Sequence, residues 1–174
     1  MNTKQFLAAL RQNIGTPEPD VYGKKWTDFI YPILYQIGVD AGFSVDCKKF
    51  TYKGKDKGNG ERFGFDFMYT PSDNPEGPPA VVIEHENCWD YPGKEHDFSK
   101  LCLVVAPLRI FIGYCGENKS DAVKHADKLR MLYSSRGMRQ ITGGETTILL
   151  SWDVEPTPWM GWSVIGENSW SAIE

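Results

Sequence analysis

The sequence, 174 residues long, lacks most of the short signatures that announce a function. Its four cysteines, Cys47, Cys88, Cys102 and Cys115, form no Cys-x-x-Cys pair, which excludes a zinc knuckle and a thioredoxin-like motif. Cys102 and Cys115 fall in apolar runs, so buried reduced thiols are expected rather than disulfides. Met1 to Asn13 carries Lys4 and Arg11 among few apolar residues and lacks the hydrophobic region of a signal peptide. No apolar run is long enough to span a membrane, which makes a cytoplasmic protein the expectation. Neither a helix-turn-helix nor a zinc finger is visible, and there are no internal repeats. Ser120–Lys124 and the Gly143–Gly144 pair do not form a phosphate loop. His96 and His125 have no serine or cysteine beside them in a nucleophile motif, so no catalytic triad is assigned.

What is present is apolar and aromatic mass. The chain is 41% hydrophobic, with nine Phe, eight Tyr and six Trp, enough for a core without disulfides and for a single domain over 1–174. The net charge of -4 is unevenly spread. Lys48 to Arg62 holds six basic residues against Asp56 and Glu61, and Lys119 to Arg139 holds six against Asp121 and Asp127. Tyr69 to Lys100 has seven acids against Lys94 and Lys100. An acidic centre between basic segments suits a metal site approached by a polyanion, and equally an ordinary surface with two basic loops.

Hydrophobic spacing predicts the elements. Phe6, Leu7 and Leu10 give a short helix over Thr3–Arg11. Trp26, Phe29, Ile30, Ile33, Leu34 and Ile37 give a second from about Lys24, which Pro32 should kink or restart. Strands are expected over Phe43–Phe50, Phe63–Tyr69 and Ala80–Glu86, with a polar, Gly-rich loop, TYKGKDKGNGE, after the first. A helix follows from Gly93 or Lys94 to Val105, then an apolar strand over Arg109–Cys115. Asn118, with Asp121 three residues on, caps the next helix, and strands are expected over Glu145–Trp152 and near Trp162–Ile165. The fold class is therefore α/β (α+β), with a central mixed sheet of about five strands flanked by helices.

The stretch FGFDFMYTPSDNPEGPPAVVIEHEN, Phe63 to Asn87, carries the chemistry. Asp66 lies inside one apolar run, and Glu84 and Glu86 end the next. Period-two geometry puts Glu84 and Glu86 on one face and His85 on the other. If the two strands pair, Asp66 lies opposite Glu84, and three carboxylates meet at the open end of a sheet. Such a set suits Mg²⁺ or Mn²⁺ and fits zinc poorly. The alternative is that Asp66 bonds to loop amides while the two glutamates sit on an open face. Asn87 and Asp90 leave the acidic strand directly, to reach a metal-bound water or simply to shape the turn.

An Asp on the second strand and Glu-x-(acid or Lys) ending the third resemble the PD-(D/E)XK restriction-endonuclease-like superfamily. The likeness covers about 26–115. Asp66 matches the first acid and Glu84 the second, and Glu86 stands where a typical member has lysine. The resemblance implies a metal-dependent nuclease acting on DNA or RNA, with Asp66, Glu84 and Glu86 around one or two divalent cations. Lys100 on the following helix is a candidate for the displaced lysine. It lies about 160° from the centre of the Phe98–Leu101–Cys102–Val105 stripe, at about 100° per residue, so Glu95 is the expected extra member of the cluster. Lys48, Lys49, Lys53, Lys55, Lys57 and Arg62 would contact phosphates. Trp159, Trp162 and Trp170 would stack on bases or a partner, or close a core or a self-association interface. Two other readings stand beside the enzyme: a catalytically inactive nuclease-fold domain that binds protein or nucleic acid, and an unrelated α/β binding protein with an acidic groove.

Overall fold

A computed structural model describes residues 1–14, 24–52, 54–87, 91–116, 118–135, 143–152, 159–165 and 169–173. Seven strands form one mixed sheet in the order β1-β4-β5-β6-β7-β8-β9. They are β1 (Phe43–Cys47), β4 (Phe67–Pro71), β5 (Val81–Glu86), β6 (Leu108–Tyr114), β7 (Glu145–Ser151), β8 (Trp159–Ile165) and β9 (Ser171–Ile173). β1, β4 and β5 run antiparallel in turn, β5, β6 and β7 run parallel, and β8 and β9 return antiparallel. The expected mixed α/β sheet is present, but with seven strands rather than about five. The difference comes from the tail, where Trp159–Ile165 pairs along all of β7 and Ser171–Ile173 adds an edge.

Helices α1 (Thr3–Ile14) and α2 (Lys24–Asp40) precede the sheet, α3 (Tyr91–Cys102) joins β5 to β6, and α4 (Lys119–Ser135) joins β6 to β7. Period-two alternation divides the strand residues between two cores. Phe67, Tyr69, Val81, Ile83, Ile110 and Leu149 pack with Phe6, Leu10, Ile30 and Leu34 of α1 and α2. Met68, Val82, Phe111, Ile148 and Leu150 pack with Phe98, Leu101, Ala126 and Leu129 of α3 and α4. α2 does not restart at Pro32 but runs through it.

Local chemistry sets the helix starts. In α1, Asn2 Oδ1 accepts from the Gln5 amide at 3.0 Å, and Gln5 Oε1 accepts from the Asn2 amide at 2.9 Å, a reciprocal cap. The expected cap of α4 is present: Asn118 Oδ1 accepts from the Asp121 amide at 3.2 Å. The Gly-rich segment after β1 is a small hairpin, β2 (Phe50–Tyr52) paired with β3 (Lys55–Lys57), instead of a plain loop. Gly58, at φ +80°, lets the chain pass where a Cβ would sit 2.6 Å from the Cys47 carbonyl. Cys47 and Cys115 are buried free thiols, Cys102 is buried as well, and Cys88 lies outside the described residues. Among the described residues no helix is long and apolar enough to cross a membrane.

Candidate functional site

The parallel pair β5–β6 and the antiparallel pair β4–β5 place the start of β4 beside the end of β5. Phe67 pairs with Ile83, so one step outward Asp66 lies level with Glu84, as the strand pattern predicts. Around them is a pocket of about 320 Å³, whose lining includes Tyr31, Lys48, Asp66, Glu84, Glu86, Asn87, Asp97 and Lys100. Each element contributes: α2 gives Tyr31 and Thr27, the loop before β4 gives Glu61 and Gly64, and α3 gives Asp97 and Lys100.

Glu84 is 2% exposed, and its carboxylate faces the Lys100 ammonium at 2.8 Å. This ion pair is what compensates the buried Glu84 Oε1. Lys100 Nζ also donates to the Gly64 carbonyl at 2.6 Å and lies 3.5 Å from Asp97. Burial pushes the Glu84 carboxyl up to about 8; Lys100 opposes this and Asp66 adds to it. Burial works against the Lys100 ammonium, but Glu84 and Asp97 outweigh it and hold its proton more tightly than usual. A carboxyl that titrates near neutrality can exchange a proton with a ligand or with water.

Asp66 is held differently. The Tyr31 hydroxyl donates to Oδ1 at 2.6 Å, and the His85 amide donates to Oδ2 at 2.9 Å. Burial raises its proton affinity, while these two donors oppose the rise. The His85 side chain packs edge-on against Tyr31 and Tyr114 on the α2 face, opposite Glu84, and burial lowers its imidazole to about 3. Replacing Tyr31 with Phe is expected to raise the proton affinity of Asp66 further, at a stability cost of about 1 kcal/mol. A carbon-13 NMR titration of the Asp66 carboxyl measures this directly. An unchanged curve would show that the phenol does not favour the charged form.

Of the sequence-predicted residues, Asp66, Glu84, Glu86 and Lys100 come together at the pocket, and Glu95 does not line it. The helix wheel is thus corrected at both α3 positions: the flexible Lys100 stem carries its ammonium from the side of the helix to Glu84. Lys48 lines the pocket and pairs with Glu61 at 3.2 Å. Lys49 and Lys55 are exposed, Lys57 lies over the Tyr35 ring, and Lys53 is outside the described residues. Arg62 clamps Asp46 at 3.3 Å, Glu76 at 3.1 Å and the Pro75 carbonyl at 2.8 Å, which ties β1 to the β4–β5 turn. The tryptophans pack inward: Trp162 is in the core, Trp159 against Trp26 and Tyr114, and Trp170 against Tyr133. Sequence reasoning missed Thr27 and Tyr31. They are spaced i, i+4 beside the apolar stripe of α2, a signal that becomes readable only once the helix is docked.

These features define an α/β protein with a carboxylate–lysine pocket at the ends of two interior strands of a mixed sheet. No protein-family model and no curated protein matches the chain. Among solved structures, a carbon-nitrogen hydrolase from Helicobacter pylori G27 resembles it at a TM-score of 0.43 and 9% identity, over 98% of this chain and 78% of that one. The expectation of a metal-dependent phosphodiester hydrolase acting on DNA or RNA is corrected. Among the described residues, no three His, Cys, Asp or Glu side chains group as a metal set. Lys100 occupies Glu84, and Tyr31 and His85 occupy Asp66.

Proposed function

We propose that this pocket binds a divalent cation, Mg²⁺ or Mn²⁺, on a restriction-endonuclease-like core, with Asp66 and Glu84 as its carboxylate ligands. The observation that carries the reading is the pairing of two carboxylates at one pocket: Glu84, 2% exposed and paired, among the described residues, only with Lys100 of α3, level with Asp66. Two carboxylates are enough for Mg²⁺, which keeps several waters and takes one or two protein carboxylates. Support for the core comes from the order α2, β1, β4, β5, α3, β6, with its antiparallel triplet followed by a parallel strand.

A cation held there supplies Lewis acidity, polarising ligand oxygens and acidifying bound water. The chain's own residues do the rest. Tyr31 and the His85 amide fix the Asp66 carboxylate, and Lys100 neutralises Glu84 until a stronger counter-charge arrives. The lysine then has the Asp97 carboxylate and the Gly64 carbonyl to retain it at the rim.

Calorimetric titration with Mn²⁺ tests the reading on the intact protein and on Asp66→Ala and Glu84→Ala. Saturable binding by the intact protein, weakened at least tenfold in both variants, is the expected result. An intact protein that takes up no heat-detectable Mn²⁺ at millimolar concentration refutes it.

A further inference from the structure

We infer that the cavity between α1 and the sheet is a second binding site, and that its ligand is a small carboxylate with an apolar body. The cavity has a volume of about 210 Å³ and shares no lining residue with the carboxylate–lysine pocket. Its roof is one side of α1, where Leu7, Leu10, Arg11 and Ile14 are spaced i, i+3, i+4 and i+7. Its floor is a row across the sheet, in which Leu149 pairs with Gly161 and Gly161 with Ile173. Trp159, on the same face of β8 as Gly161, adds a wall.

The gap belongs to the way α1 docks. At its first turn the helix is tied to β7: Thr3 Oγ1 lies 2.6 Å from Thr147 Oγ1, and the Thr3 amide donates to Glu145 at 3.2 Å. Further along, Gly161 gives the floor no side chain, and a Cβ there would lie 2.9 Å from Leu149 Cδ2 and 3.2 Å from Ile173 Cδ1. Leu7, Leu10 and Leu149 are buried whereas Arg11 is exposed, so the cavity runs from the core to solvent at the guanidinium. Arg11 is the one charged side chain of the lining, and it has no hydrogen bond or ion pair among the described residues. It stands in the last turn of α1, where the helix end carries about half a negative charge. The full positive charge of the guanidinium outweighs that half charge and selects an anion. An apolar cavity of about 150 Å³ admits benzene, so this one takes a body of about six carbons beside the carboxylate. Water inside it meets mostly apolar walls and is easily displaced.

Hexanoate is the probe and hexanol its uncharged counterpart, each titrated into the intact protein, Arg11→Met and Ile14→Trp. Carbon-13 methyl NMR is the readout, with thermal unfolding run alongside. Arg11 is exposed and Ile14 half-buried at the rim, so both variants should keep the intact unfolding temperature within a few degrees. The expected result is saturable hexanoate binding that shifts the methyl signals of Leu7, Leu10, Leu149 and Ile173. Binding should be roughly fivefold weaker in Arg11→Met and lost in Ile14→Trp, where the indole fills the space. Hexanol should bind the intact protein more weakly than hexanoate does, and Arg11→Met no differently from the intact protein. If Arg11→Met keeps its affinity for hexanoate, or hexanol binds the intact protein as tightly, the carboxylate assignment is wrong. If the intact protein shows no saturable shift up to the solubility of the probe, or shifts only at methyls outside the cavity, there is no such site. A folded Ile14→Trp that still binds hexanoate overturns it equally.

Discussion

Lys100→Met is expected to cost about 3 kcal/mol of stability at pH 9 and clearly less at pH 6. Glu84 is 2% exposed and has its ammonium partner at 2.8 Å, so removing the lysine leaves a buried carboxylate without counter-charge. At low pH the carboxyl is already protonated and loses little. The sign in the intact protein follows from the same group. Glu84 is raised from its ordinary 4.5 to about 8, so the folded state binds this proton more tightly than the unfolded chain does. Its contribution is fully present below 4.5 and is lost as pH rises to about 8, on the order of 3–5 kcal/mol over the whole window. The Lys100 proton, also held more tightly than usual, is lost only at higher pH and leaves this window unchanged. Urea unfolding from pH 5 to 9 measures the slope, and Glu84→Gln should flatten it. Adding Glu84→Gln to Lys100→Met should recover most of the loss. A slope that survives in Glu84→Gln would assign it to another group.

Arg109→Met is the second large effect, an expected loss of about 3–5 kcal/mol. Arg109 is fully buried. Its guanidinium donates to Thr146 Oγ1 at 3.0 Å and to the carbonyls of Val104 at 3.3 Å, Ala106 at 3.4 Å and Gly143 at 2.5 Å. It thereby joins the segment after α3 to the segment before β7. The two segments are in close contact: a Cβ on Gly144, at φ +71°, would sit 2.4 Å from the Ala106 carbonyl. Arg109→Lys should recover little, because a single ammonium cannot reproduce the planar fork of donors that reaches these separate acceptors. Denaturant unfolding checks both variants, and a loss below about 1 kcal/mol in Arg109→Met would show that water replaces the guanidinium at these carbonyls.

Arg109 also shows where sequence reading stops. In Arg109–Cys115 it looks like the polar start of an apolar strand, and the strand is present over Leu108–Tyr114. Nothing in that run says that its side chain lies inward and serves three carbonyls. Lys100 makes the same point from the other side. The helical wheel sorts Phe98, Leu101 and Cys102 correctly, since all three are buried, but Val105, placed on the same stripe, lies beyond the end of α3 and is exposed. A lysine ammonium, however, stands several bonds from its Cα and follows charge more than the wheel. The tail misled by composition: aromatic and Gly-rich, it holds the expected strand near Trp162–Ile165, which starts earlier, at Trp159, and precedes another.

The sequence by itself determined the alternation that sends Phe67, Tyr69, Val81 and Ile83 to one core and Met68 and Val82 to the other. The level placement of Asp66 and Glu84 needed in addition the β4–β5 register, in which Phe67 pairs with Ile83. Tertiary structure alone decided that Tyr31, Thr27 and Lys100 surround those acids. They come from two helices packed on opposite faces of the sheet. Periodicity orients residues within an element, whereas the meeting of side chains from different elements depends on docking and register between them.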